Sequence, residues 1–142
     1  MPAYILPPYN GFSHEERVAT NPIQRDALRR GLIVRPERCS ICGFSDPSDP
    51  TGRGYLFLHL EDYRHPLEFY GVCKSCHAAL HARFRDPARW LRVVRRHGQS
   101  GRWFTLLSDD PESQTLPFDQ TYPHGLPGEW DVWPLPAAPI DP

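Results

Sequence analysis

The chain has 142 residues, of which 39% are hydrophobic and 17 are proline, so it has material for about one small domain and too little for a large regular core. Its net charge of −1 is unevenly distributed: residues 1–102 carry 16 basic and 10 acidic side chains, and residues 103–142 carry 7 acidic ones and no lysine or arginine. The sequence has no apolar run of about 18 residues and no basic leader before an apolar stretch, which predicts a cytoplasmic protein without a membrane partner.

Two short helices are predicted in an N-terminal segment, residues 1–36. Ser13 and Glu16 have the spacing of a capping box, in which each side chain accepts a hydrogen bond from the other residue's backbone amide. Asn21, followed by a proline at the first helical position, predicts a second helix that ends before Gly31. The apolar stripe predicted for this helix consists of Ile23, Ala27 and Leu28.

Residues 37–104 are predicted to form a second unit with a β-hairpin and two helices. YLFLHLEDY, residues 55–63, has the aromatic and apolar character of a strand, and PLEFYGV, residues 66–72, would pair with it. CKSCHAALHARF follows as a helix. Another helix, PARWLRVVRRH, is predicted to begin after Asp86 as its N-cap and to end at Gly98. Its predicted buried edge consists of Trp90, Leu91 and Val94.

Residues 105–142 are predicted to form an acidic, irregular tail, since 8 of the 17 prolines follow Phe104. Trp130 and Trp133 argue against simple disorder, which is usually poor in aromatic residues. Two possibilities stay open, a tail that lies over the rest of the protein and one that docks on a protein partner. The fold class predicted for the whole chain is a small α+β structure.

The four cysteines form two pairs with metal-binding spacing, Cys39-x2-Cys42 and Cys73-x2-Cys76. Each pair can present two thiolates from one tight turn, and two such turns complete a tetrahedron around Zn2+, with Zn–S distances of about 2.3 Å. The alternatives are two disulfides or four unrelated thiols. Because cysteines in the cytoplasm stay reduced, the spacing predicts a structural zinc site.

The segments CSICG, HLEDYRHPLEFYGVC and CKSCHAALH, between Cys39 and His81, resemble the HNH endonuclease family in order and approximate spacing. The resemblance implies a ββα-metal fold with a four-cysteine structural zinc. It also implies a hydrolase that cleaves DNA phosphodiester bonds with a second divalent ion, for which Mg2+, Mn2+ and Ni2+ are candidates. By position, the catalytic residues would be His59, Glu68 and His81, and His59 and His81 would hold the second ion.

The chain departs from the family pattern beside His59. Many members with a structural zinc carry two adjacent polar residues there, one an ion ligand and the other the catalytic base. In one alignment His59 is the ligand and Leu60 replaces the base; shifted by one residue, His59 is the base and Leu58 replaces the ligand, so one of the two roles is vacant in either case. Glu61 or Asp62 is a candidate replacement, and since a strand alternates faces, only one of them can point inward with His59. His77 is interpreted as an outer hydrogen-bond donor or a surface group. The alternative function is a non-catalytic zinc module that binds nucleic acid or a protein partner.

A basic stretch follows the second cysteine pair, with seven arginines and one acidic residue between Arg83 and Arg102. Arginines at helical spacing suit a phosphate backbone, which favours nucleic acid, DNA in particular, as the partner. The alternatives are a solvated helix face and a face that pairs with the acidic tail. The predicted nucleic-acid-binding side chains are Arg83, Arg85, Arg89, Arg92 and Arg96.

Overall fold

The computed structural model describes residues 5–45, 56–98 and 102–128, which form an α+β fold around a two-stranded antiparallel sheet. Among these residues, no helix is both long enough and apolar enough to cross a lipid bilayer. The elements in chain order are α1 (His14–Val18), α2 (Thr20–Arg29), β1 (Leu56–His59), β2 (Tyr70–Cys73), α3 (Lys74–Ala82), α4 (Pro87–His97), a 3-10 turn (Pro111–Gln114) and α5 (Phe118–Thr121).

The start of α1 confirms the predicted capping box, whereas the predicted cap of α2 is wrong. The Ser13 hydroxyl accepts from the Glu16 amide at 3.2 Å, and the Glu16 carboxylate accepts from the Ser13 amide at 2.9 Å. Helix α2 begins at Thr20, and its N-cap is Ala19 rather than Asn21. Ala19 keeps helical dihedral angles, so the chain passes from α1 to α2 without the extended residue that a side-chain cap requires.

The buried face of α2 is more polar than predicted. Ile23 is 48% exposed, so its assignment to an apolar stripe is wrong, while Thr20, Gln24 and Ala27 are buried. The Gln24 side-chain amide donates to the carbonyl of Pro66 at 2.9 Å. This bond satisfies the buried amide and ties α2 to the turn of the β-hairpin.

The predicted hairpin is present, with shorter strands than expected. Leu56 pairs with Cys73 and His59 pairs with Tyr70 in the antiparallel register. No loop separates β2 from α3, because Cys73 is both the last strand residue and the N-cap of the helix. In this register Leu56, the first residue of β1, lies opposite Cys73 at the start of α3. The helix packs against β1 so that His59 lies beside His77 and His81, and this arrangement positions both candidate metal centres.

Helix α4 also begins and ends as predicted. The Asp86 carboxylate accepts from the Arg89 amide at 3.3 Å, and Gly98 follows the last helical residue. Trp90 is buried, but Leu91 is 39% exposed, so the prediction that Leu91 belongs to the buried edge is wrong. An immediate neighbour of the buried tryptophan is turned about 100° away from it on a helix.

Residues from all three predicted segments share one hydrophobic core. The rings of Tyr70 and Trp103 stack with centroids 3.8 Å apart, and the Trp103 indole donates to the Ser40 hydroxyl at 3.1 Å. Phe118 of α5 packs against Phe12 with ring centroids 5.7 Å apart. The first part of the tail thus lies over the body of the protein.

Trp130 and Trp133, the aromatic residues on which a docking role of the tail was based, lie outside the described residues.

Candidate metal centres

The four cysteines form one cluster, which confirms the prediction made from their spacing. Their sulfur atoms all lie within 4.8 Å of one another, and none of the four is in a disulfide. Backbone amides point at two of the sulfurs, from Ile41 to Cys39 at 3.4 Å and from Cys76 to Cys73 at 3.5 Å. Such N–H···S contacts stabilise negative charge on sulfur, as expected of turns that present thiolates to a metal ion.

The electrostatics of the cysteine cluster also fit a bound cation. The thiols of Cys73 and Cys76 donate to Cys39 and hold its pKa far below the usual range, although burial opposes the shift. The same contact with Cys39 raises the pKa of Cys73 to about 11, and contacts with Cys39 and Cys73 raise that of Cys76. The protein alone therefore favours one thiolate among its thiols, and a divalent ion is what would allow all four to ionise. The donor set suggests a structural zinc site.

A second cluster consists of three histidines, whose ring nitrogens also lie within 4.8 Å of one another: His59, His77 and His81. His59 ends β1, and the other two occupy one face of α3, one turn apart. The ring centroids of His59 and His81 are 5.1 Å apart, so these two rings approach each other as expected.

His77 is an inner member of this cluster, so its interpretation as an outer hydrogen-bond donor or a surface group is wrong. Its ring centroid is 5.3 Å from that of His59 and 4.4 Å from that of His81. Phe57 stacks on its other side at 4.4 Å, with the two rings only 16° from parallel. The i, i+4 spacing of His77 and His81 was the signal in the sequence that could have identified it.

The helix histidines are held in the uncharged form that binds metal ions. Burial, and next the neighbouring His59, lower the pKa of His77 to about 3. Burial, His59 and His77 together lower the pKa of His81 well below its ordinary value. Since a protonated imidazole cannot act as a ligand, both side chains are ready to coordinate a cation near neutral pH without first losing a proton.

A fully buried carboxylate, Glu61, lies behind His59. It accepts hydrogen bonds from His59 Nε2 and from the Tyr9 hydroxyl. Asn10 Nδ2 donates to Glu61 Oε1 at 2.9 Å, and the Arg83 guanidinium pairs with the same oxygen at 3.0 Å. With Nε2 engaged by Glu61, Nδ1 of His59 is the nitrogen left for an ion, an arrangement common among metal-bound histidines.

The ion pair keeps Glu61 charged in spite of its surroundings. Burial on its own would raise the pKa of Glu61, but Arg83, followed by His59 and Tyr9, overcomes this and lowers the pKa far below its usual range. The charge of Arg83 is in turn stabilised by Glu61 against the same burial. Of the two carboxylates considered as replacements beside His59, Glu61 is the one that points inward, because Asp62 faces the exposed guanidinium of Arg64.

Neither Glu68, the third predicted catalytic residue, nor Leu60, beside His59, contributes a ligand to the histidine cluster. Glu68 is exposed in the turn between the strands, and its amide donates to the His65 carbonyl at 3.0 Å. It is not among the residues of either cluster. Leu60 is 3% exposed and has no group that can take up a proton.

A cleft of about 390 Å³ opens over the histidine cluster. Its walls come from α2, from the segment after α2 and from β1, and all three histidines line it. The other ionisable groups of the described lining are Arg17, Arg25 and Arg35 and the phenol of Tyr63, and none of the described lining residues is a carboxylate. The charged walls of the cleft are therefore cationic.

The predicted basic face of α4 is separate from this cleft, since none of its arginines is among the lining residues. Arg85, Arg92 and Arg96 are exposed and Arg89 is half-buried. Arg83 does not belong to an exposed face at all, because its side chain is fully buried against Glu61. Its inclusion among the surface arginines is corrected by that ion pair.

Comparison of the chain with protein-family models, with curated proteins and with solved structures gave no match. The similarity to HNH endonucleases therefore depends on the motif residues and on the two clusters just described.

Proposed function

We propose that the protein is an HNH-like, metal-dependent endonuclease that cleaves DNA phosphodiester bonds. The observation that carries the proposal is the histidine cluster at the floor of a cleft with cationic walls. Neutral histidines suit a divalent transition-metal ion, and arginines suit an anionic substrate. Charge stabilisation by a metal ion and binding of the phosphate by cationic groups are two of the contributions that enzymes use in phosphodiester hydrolysis.

In this proposal the three histidines bind the second ion, and Glu61 orients one of them. His59, His77 and His81 would hold the second ion, which when bound would stabilise the negative charge that develops on the scissile phosphate and the leaving oxygen. Glu61 fixes the tautomer and orientation of the His59 ring through Nε2. Three imidazoles favour Ni2+ or Zn2+ over Mg2+ and Mn2+, which prefer oxygen ligands. Glu68 has no role in this arrangement because it is exposed and outside the cleft.

A second candidate function, a non-catalytic zinc module that binds nucleic acid, is favoured by Leu60. This residue follows His59, where the family carries a second polar group, and its side chain is aliphatic and buried. A protein that keeps the ion ligands without the base would retain binding and lose cleavage.

A plasmid-nicking assay with Mg2+, Mn2+ or Ni2+ added separately tests the proposal. We expect the wild type to nick DNA with at least one of these ions, and His77→Ala and His81→Ala to abolish nicking. His124→Ala is the matched control, because this histidine is exposed and outside the cluster. Nicking that survives both cluster substitutions would point to a contaminating nuclease, and wild-type protein that binds DNA without nicking it would favour the second candidate.

A further inference from the structure

Two arginines on the wall of the cleft have guanidinium groups without a partner among the described residues. Arg25 lies on α2 and Arg35 in the segment that follows it, and both are exposed. Within the part of the chain that the structure describes, neither guanidinium has an ion-pair or hydrogen-bond partner. The third arginine of the lining differs, because the Arg17 guanidinium donates to the Pro7 carbonyl at 2.7 Å and to the Tyr63 hydroxyl at 3.1 Å.

Other arginines of the same helix are also engaged. Arg29 and Arg30 both pair with Asp26, and neither lines the cleft. Helix α2 and its C-cap thus carry arginines of two kinds, those paired with Asp26 on the same helix and one, Arg25, that lines the cleft without a described counter-ion.

The charge of the cleft selects the class of ligand. Since the described lining residues include no carboxylate, and since the nearby charge of Glu61 is paired with Arg83, these residues make the field inside the cleft positive. A planar guanidinium can bind two oxygens of one phosphate, which an ammonium group does less well. A polymer with several phosphates can use more than one of the guanidinium groups that line the same cleft as the histidine cluster.

We infer that Arg25 and Arg35 bind backbone phosphates of a nucleic acid strand and lead it across the α2 side of the cleft to the histidine cluster. This inference rests on the proposed function for the chemistry at the end of that path. It assigns the substrate track to the N-terminal segment, whereas the sequence analysis assigned it to the face of α4. The arginines of α4 lie outside the cleft lining, so they are not in a position to hold phosphates beside the histidines.

Fluorescence anisotropy with a short labelled DNA duplex, with no divalent ion added beyond the protein's own zinc, tests the path. We expect Arg25→Ala/Arg35→Ala to weaken binding by roughly tenfold or more near physiological salt, and to lower the slope of log K against log salt by about 2. Arg29→Ala/Arg30→Ala is the matched control, since it removes the same charge from the same helix outside the cleft. Zinc content and circular dichroism verify that each variant is folded.

A third double variant, Arg92→Ala/Arg96→Ala, measures the competing path. A loss of binding that is equal in all three double variants would mean that only net charge matters, and a larger loss in the α4 variant would place the track on α4; either result overturns the inference. Failure of the wild type to bind DNA overturns it as well. The nicking assay separates the two proposals. If the cleft variant selectively loses DNA binding but the wild type does not nick DNA, the phosphate path is supported and the proposed cleavage is wrong. If the wild type nicks DNA and the cleft variant nicks it equally well, the cleavage is supported and the phosphate path is wrong.

Discussion

The two clusters of metal-binding side chains are both compact but differ in the number of protein donors and in access to the cleft. Each gathers its donor atoms within 4.8 Å, and each takes residues from the hairpin and from α3. The cysteine cluster has four protein donors, enough to complete a tetrahedron, whereas the histidine cluster has three and opens into a cleft. Four protein ligands are typical of a structural zinc site, and three with an open position are typical of a site that meets a substrate.

The clusters also differ in what supports them. Two of the cysteine sulfurs, those of Cys39 and Cys73, receive hydrogen bonds from amides two or three residues away, at Ile41 and Cys76. The orientation of His59 depends on Glu61, which is held by Tyr9, Asn10 and Arg83 from distant parts of the chain. One cluster on α3 therefore has hydrogen-bond support from nearby residues, and the other has support from distant ones. Each of the following substitutions should affect one cluster more than the other.

Loss of the cysteine cluster should have the largest effect. We expect Cys39→Ser and Cys76→Ser to abolish zinc binding and leave the chain unfolded, because structural zinc sites contribute about 10–16 kcal/mol of apparent binding free energy in small finger peptides. Zinc content and circular dichroism measure the result. His81→Ala is the comparison variant and should keep both the zinc and the fold. A cysteine variant that stayed folded would show that the core is sufficient without metal.

Removal of the buried carboxylate should have the next largest effect. Glu61→Gln leaves the fully buried Arg83 without its counter-ion, and breaking a buried pair from one side costs about 3–5 kcal/mol. Chemical denaturation measures the change in the free energy of unfolding. The control is Asp119→Asn, which removes an exposed partner of Arg64 at 3.1 Å and should cost less than about 1 kcal/mol. Equal losses in the two variants would contradict the buried role of Glu61.

The turn that carries Tyr9 and Asn10 can be disturbed from outside the network. Gly11 has φ +83°, and a Cβ there would lie 2.3 Å from the Leu116 carbonyl oxygen. We expect Gly11→Ala to cost about 2–4 kcal/mol, the sum of left-handed backbone strain and overpacking. Gly31→Ala is the control, because Gly31 has φ +73° with nothing within 4 Å of the added atom, so strain alone should cost about 1–2 kcal/mol. If both variants lost the same stability, the contact between this turn and the tail would be unimportant.

The parts of the fold that sequence predicted correctly are those determined over a few residues. The capping box at Ser13, the N-cap of α4 at Asp86 and the cysteine turns each depend on contacts between residues at most three positions apart. At these positions the local preference of the sequence and the tertiary packing favour the same conformation, so the sequence pattern predicts the structure correctly.

The features that sequence analysis missed depend on contacts across the chain. Arg83 looked like a surface arginine because no pattern links it to Glu61, 22 positions earlier, or to Tyr9, 74 positions earlier. Ile23 is exposed because a polar residue, Gln24, finds a partner in the distant Pro66 carbonyl. The spacing of His77 to His81 could have identified it as a member of the histidine cluster, but its burial also depends on Phe57 in strand β1. Periodicity indicates a face, and only tertiary structure shows what covers it.

The smallest expected effect isolates the tertiary support of the histidine cluster. Asn10 has φ 52°, a conformation that glycine also adopts without strain, so Asn10→Gly removes the side chain and keeps the backbone of the turn. The variant loses the bonds from Asn10 Nδ2 to the Glu61 carbonyl and carboxylate, both at 2.9 Å. Since loss of such outer contacts typically lowers metal affinity 10–100-fold, we expect about a tenfold weaker affinity for a second ion such as Ni2+.

Titration calorimetry of the zinc-loaded protein with Ni2+ measures that affinity, and zinc content provides the internal control. The cysteine sulfurs make no contact with Asn10, so the zinc of Asn10→Gly should remain stoichiometric while the affinity of the histidine cluster falls. A simultaneous loss of zinc would mean that the two clusters are not supported independently. An unchanged Ni2+ affinity would mean that Glu61 keeps His59 oriented through Arg83 and Tyr9 alone, because these two side chains would then be sufficient to hold the carboxylate in place.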